Sequence, residues 1–88
     1  MNDKTANHYH ITLKVQNMVG VMARISILLR KFNVNITSMN ISHLDEDERF
    51  FELNMEVDSQ KPADDFTVVI NKLERLVPVV EIEYKKIS

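Results

Sequence analysis

From residue 8 apolar and polar side chains alternate, with Tyr9, Ile11, Leu13 and Val15 on one face and His8, His10, Thr12 and Lys14 on the other. A period of two marks a half-buried strand. Residues 1–7 are polar and read as a frayed tail. After Gly20 the period changes: Val21, Met22, Ile25, Leu28, Leu29 and Phe32 form one helical stripe, with Arg24, Arg30 and Lys31 on the wet side. Ile27 falls outside that stripe. Asn33 suits the left-handed position that ends a helix.

Residues 34–43 are rich in β-branched side chains and predict a second strand. Its alternation is poor: Ile36 points one way, Met39 and Ile41 the other, so both faces carry apolar surface. Residues 44–49 include Asp45, Glu46, Asp47 and Glu48 and predict a charged hairpin loop. Phe51, Leu53, Met55 and Val57 alternate with Phe50, Glu52, Asn54 and Glu56 in a third strand, and residues 58–61 read as a connector. Pro62 suits a first helical turn, and Asp64 and Asp65 suit its positive end. Phe66, Val69, Ile70, Leu73 and Val77 then trace a second amphipathic helix, which Pro78 stops. Val80, Ile82 and Tyr84 alternate with Glu81, Glu83 and Lys85 in a fourth strand.

The order βαββαβ predicts an α+β, ferredoxin-like fold: a four-stranded antiparallel sheet, strands 1 and 3 central, with two helices on one face. At 88 residues there is room for one domain, over residues 8–88. A formal charge of −2 gives no pull toward nucleic acid or an anionic membrane. The absence of cysteine excludes disulfides and thiol chemistry and fits a cytoplasmic protein. No apolar run approaches the length of a membrane span.

Most candidate sites fall away on chemistry. His8 and His10 share a strand face and could ligate a metal with His43 or the acidic loop, but no further ligand sits at a fixed helical spacing, so no metal is expected. The acidic run lacks the alternating ligands and central glycine of a calcium loop. An RNA-binding sheet needs exposed aromatics beside cations, whereas Phe50 is followed by Glu52 and Glu56. Val15-Gln16 and Gly20-Val21 with Arg24 have the flavour of the phosphate cradle of acylphosphatases, small ferredoxin-like enzymes. Asn17-Met18-Val19 makes that cradle the wrong length. No catalytic residue and no cofactor is expected.

Gly20, the chain's only glycine, stands at the first strand–helix turn. It marks either a close backbone approach or a positive φ. The N–H groups of Val21 and Met22 at the positive helix end would hold a carboxylate or phosphate. Asn17 and Asn35 offer donor and acceptor together, as an amino acid's ammonium and carboxylate require.

Residues 17–25, Asn-Met-Val-Gly-Val-Met-Ala-Arg-Ile, followed by Phe-Asn-Val-Asn-Ile-Thr-Ser-Met at 32–39, resemble an ACT domain. More narrowly, they are similar to the regulatory small subunit of acetohydroxyacid synthase (acetolactate synthase). The stretch at 71–80, Asn-Lys-Leu-Glu-Arg-Leu-Val-Pro-Val-Val, is similar to that family's second-helix ending. The resemblance implies a non-catalytic homodimer joined through strand 2 and helix 1. It implies a catalytic large subunit as partner, activated in branched-chain amino acid biosynthesis and subject to valine feedback. It further implies that Asn17, Gly20, Val21 and Met22 hold the carboxylate of a branched-chain amino acid, while Asn35 and Ile36 of the other protomer meet its ammonium and side chain. Met18-Val19 is bulkier and less polar than the pair usual before that glycine, which bears on the width of the pocket. A free-standing amino-acid-binding regulatory protein with another partner is the alternative.

Overall fold

The computed structural model describes residues 6–44 and 49–87. Its elements run β1 (Asn7–Gln16), α1 (Val21–Lys31), β2 (Val34–His43), β3 (Phe50–Ser59), α2 (Ala63–Glu74) and β4 (Val79–Lys86). The strands form one antiparallel sheet in the order β2-β3-β1-β4. This is the ferredoxin-like arrangement expected, with β1 and β3 central. The acidic run 45–48 and residues 1–5 lie outside the described residues. Asn7, expected in the tail, opens β1, and residues 58 and 59, expected in a connector, complete β3.

One face of the sheet makes the core. Tyr9, Ile11, Leu13 and Val15 of β1 pair across with Val57, Met55, Leu53 and Phe51 of β3, and all of them are buried. Against this floor pack Val21, Ile25 and Leu29 of α1 and Phe66, Val69, Ile70 and Leu73 of α2. Cross-strand neighbours share a face, so this pairing dedicates one side to the helices and leaves the other polar.

Two single-residue bulges correct the faces expected for the edge strands. In β2, Ile36 pairs with Val57 and Ser38 with Glu56, so Thr37 is the extra residue, and its hydroxyl donates to the Glu56 carbonyl at 3.1 Å. The bulge resets the alternation: Ile36, Met39 and Ile41 stand opposite Val57, Met55 and Leu53, all on the helix side. In β4, Lys14 pairs with Glu81 but Val15 with Val79. Val80 is therefore the extra residue and is exposed, while half-buried Val79 takes its expected inward place. Helix α2 ends at Glu74, before Pro78, so Val77 leaves the apolar stripe and is 78% exposed. Asn33 adopts a φ of 60° and closes α1, its N–H donating to the Arg30 carbonyl at 3.0 Å.

Tyr9 lies flat on Phe66, ring centroids 3.7 Å apart and planes 1° from parallel, and Tyr84 tilts against both rings. Among the described residues the buried Tyr9 hydroxyl has no hydrogen-bond partner. An unpaired buried hydroxyl is a cost. Tyr9→Phe keeps the stack and removes that cost, so urea unfolding should show a gain of about 1 kcal/mol. Burial, and then the neighbouring Tyr84, raise the Tyr9 phenol above its ordinary 10.0. The unfolded chain ionises first. This contribution to stability is therefore intact below pH 10 and is lost as pH rises toward the higher folded value. Thermal melts in alkaline buffer should show that loss in the parent protein and a smaller one in Tyr9→Phe.

Candidate functional site

The turn between β1 and α1 is pinned from two sides. Gln16 N–H donates to the Pro78 carbonyl at 2.8 Å, and Asn17 N–H to the Arg49 carbonyl at 2.9 Å. The chain then doubles back, with Val21 N–H donating to the Met18 carbonyl at 3.2 Å. Gly20 takes φ 80° and ψ 4°, and a Cβ placed there would meet nothing within 4 Å. Of the two reasons for a glycine, the positive φ therefore operates and close approach does not. The Gly20 carbonyl starts the helix by accepting from Arg24 N–H at 3.0 Å.

This geometry sorts the donors expected at the turn. Val21 has a buried side chain and an N–H already bonded inside the turn. Met22 and Ala23 follow in the first helical turn, where the helix supplies no acceptor. Asn17 is exposed beside them, Met18 is 41% exposed and Val19 is 99% exposed at the tip. Arg24 lines a groove between α1 and α2.

Asn35 and Ile36 lie elsewhere. Asn35 pairs with Asp58, near the end of β3 opposite to Phe50, which pairs with Gln16. At about 3.3 Å per strand residue, roughly 25 Å of sheet separates the Gly20 turn from Asn35 within one protomer. Asn35 lines a cleft of about 580 Å³ with Arg30, Asn33, Val34, Asp58, Gln60 and Lys61. Sequence reasoning did not single out Arg30, Gln60 or Lys61 as its neighbours. The signal was the β2–β3 hairpin, whose antiparallel pairing brings residues 34 and 35 beside 58–61. Ile36 is half-buried on the helix side.

The open face of the sheet is a polar mesh. Asn54 Oδ1 accepts from the Thr12 hydroxyl at 2.9 Å and from His10 Nε2 at 3.2 Å, while its Nδ2 donates to Glu52 at 3.1 Å. This network assigns the His10 proton to Nε2. His8 Nδ1 is bonded to Asp58. Lys14 stands 5.4 Å over the Phe50 ring, the aromatic that an RNA-binding sheet would need free. Among the described residues no group of three His, Asp or Glu could hold a metal ion.

A family model of the ACT domain matches residues 17–82, which takes in the Gly20 turn, both helices, β2, β3 and the first half of β4. The chain belongs to the ACT domain family. ACT domains are generally regulatory and non-catalytic, bind amino acids and dimerise. Three solved structures illustrate the likeness. The ACT domain of the GTP pyrophosphokinase of Chlorobium tepidum is 20% identical over 91% of this chain and 99% of that one, with a TM-score of 0.73. An ACT domain protein from Streptococcus pneumoniae is 22% identical, over 91% and 89% of the two chains, at a TM-score of 0.71. A formyltetrahydrofolate deformylase from Pseudomonas syringae is 16% identical at a TM-score of 0.73, with 91% of this chain matching 27% of the enzyme. At these identities the likeness is one of fold. No curated protein sequence matches the chain. No helix among the described residues is long and apolar enough to cross a membrane.

Because an added Cβ at Gly20 meets open space, Gly20→Ala should leave the fold intact. The left-handed backbone should still cost about 1–2 kcal/mol, read as a lower urea midpoint with an unchanged m value.

Proposed function

We propose that this ACT domain is a regulatory subunit of acetohydroxyacid synthase, acting as a dimer on a separate thiamine-dependent catalytic subunit. The observation that carries the dimer is the character of β2. It is an edge strand, and the bulge at Thr37 turns Met39 and Ile41 onto the helix side, where they remain 37% and 47% exposed. An unpaired edge with apolar side chains above it calls for a second strand and a second helix layer. Antiparallel pairing of two β2 strands about a two-fold axis supplies both and extends the sheet to eight strands.

The same operation unites the half-sites. A two-fold reverses one protomer end to end, so the cleft at Asn35 of one chain lies at the same end of the joint sheet as the Gly20 turn of the other. A ligand carboxylate would then take the N–H of Met22, beside Gly20 and the buried Val21, with the Asn17 amide. Asn35 and Ile36 of the opposite protomer would take the ammonium and the side chain. The family motif from Asn17 to Arg24, with Asn35-Ile36, supports valine or another branched-chain amino acid. A ligand held by both protomers biases their relative placement, and the catalytic partner responds to that shift.

The test is acetolactate formation by the catalytic subunit with and without this protein. Activation is expected, together with a valine response that Asn35→Ala and Gly20→Ala weaken. Unchanged acetolactate formation would reject the partner, and valine binding without activation would favour a free-standing regulatory protein instead. The dimer has its own test. Ile41→Lys removes about 1.5 kcal/mol of apolar burial per copy, and two copies should raise the dimer Kd by roughly 100-fold. Sedimentation velocity at micromolar protein should then show monomer, with the circular dichroism unchanged.

A further inference from the structure

Ile27, which the helical stripe leaves over, is 64% exposed, and the fold gives it a setting. It lines, with Leu28, Phe32 and Leu76, a groove of about 360 Å³ between α1 and α2. The rim is Arg24, Lys31 and Lys72. Arg24, Ile27, Leu28 and Lys31 share one face of α1, being three or four residues apart, while Lys72 stands in the last turn of α2 and Leu76 just past its end. No carboxylate lines the groove, and none of the three cations makes an ion pair among the described residues. In a chain of formal charge −2 this is a local reversal of sign.

We infer that this groove docks an acidic amphipathic helix of the protein that the domain regulates. Such a helix would seat its apolar ridge between α1 and α2, with Glu or Asp side chains beside Arg24, Lys31 and Lys72. Charge complementarity chooses this occupant. A second copy docking through the same layer would set cations against cations. The chain's own run Asp45-Glu46-Asp47-Glu48 has no apolar anchor. An anionic lipid surface is flat and would leave a concave groove unfilled. The groove also remains accessible in the proposed dimer. Arg30, on the other flank of α1, faces the cleft at the start of β2, whereas Arg24, Ile27 and Lys31 face α2. Docking here does not depend on the partner being acetohydroxyacid synthase.

The probe is a peptide of about 18 residues built from Leu, Ala and Glu in a helical repeat, long enough to be helical alone, with a Lys-for-Glu twin as control. The isotope-labelled full chain is titrated and followed by NMR. Saturable shifts confined to residues 24–32 and 72–76 are expected with the acidic peptide and none with the basic one. Lys31→Glu with Lys72→Glu should weaken binding at least about tenfold, and Ile27→Ser, on an exposed side chain, should weaken it without unfolding the protein. Silence in the groove, equal binding of both peptides, or loss of the groove signals with phosphatidylserine-containing vesicles but not with peptide would each overturn the inference. Peptide binding without activation of acetolactate formation would reject only the partner named above. Activation with a silent groove would reject only the docking site.

Discussion

Four rungs between β1 and β3 carry the rest of the molecule: Tyr9 with Val57, Ile11 with Met55, Leu13 with Leu53 and Val15 with Phe51. Every one of these side chains is buried, and every neighbour along the strands points to the polar face. A slip of one residue would send the whole apolar set into water, so the register of the central pair is held strongly. Both helices settle on the floor that this register creates, and both edge strands are placed by it. The Gly20 turn leaves the top of β1 and is tied to the ends of its neighbours by Gln16 and Asn17. The position of the proposed half-site is thus a consequence of the core.

The edge strands answer to a looser constraint, and there the chain departs from regular pairing. Each accommodates one extra residue, Thr37 in β2 and Val80 in β4. The bulge in β2 matters more. Without it Ile36 would oppose Met39 and Ile41, and no single apolar face would exist for a second protomer. With it the edge strand acquires a consistent helix-side surface beside α1. A local irregularity therefore produces the surface on which the proposed dimer and its shared pocket depend.

The two helices divide the remaining tasks. The buried stripe of α1 holds the domain together. One flank, marked by Arg30, faces the cleft that contains Asn35. The other, marked by Arg24, Ile27 and Lys31, faces α2 across the basic-rimmed groove. The sheet's open face is engaged in its own polar mesh through Asn54, His10 and Thr12. A regulatory domain needs one surface that senses and another that transmits, and α1 borders a candidate for each.

The alternation in β1 and β3, the helical stripes and the Gly20 and Asn33 turns were legible in the sequence, because burial, side-chain period and φ preference are local properties of the chain. These sufficed for the ferredoxin-like order, while Asn17, Gly20 and Asn35 were joined as a motif by the resemblance to the ACT domain. The faces of Ile36 and Val80 were not legible, because a bulge is defined only against a partner strand. The early stop of α2, which frees Val77, likewise depends on where the chain must turn into β4. Nor could sequence show that Ile27 of α1 lines one groove with Leu76, just past the end of α2. That fact is a distance between residues far apart in the chain, and only the packed sheet and helices decide it.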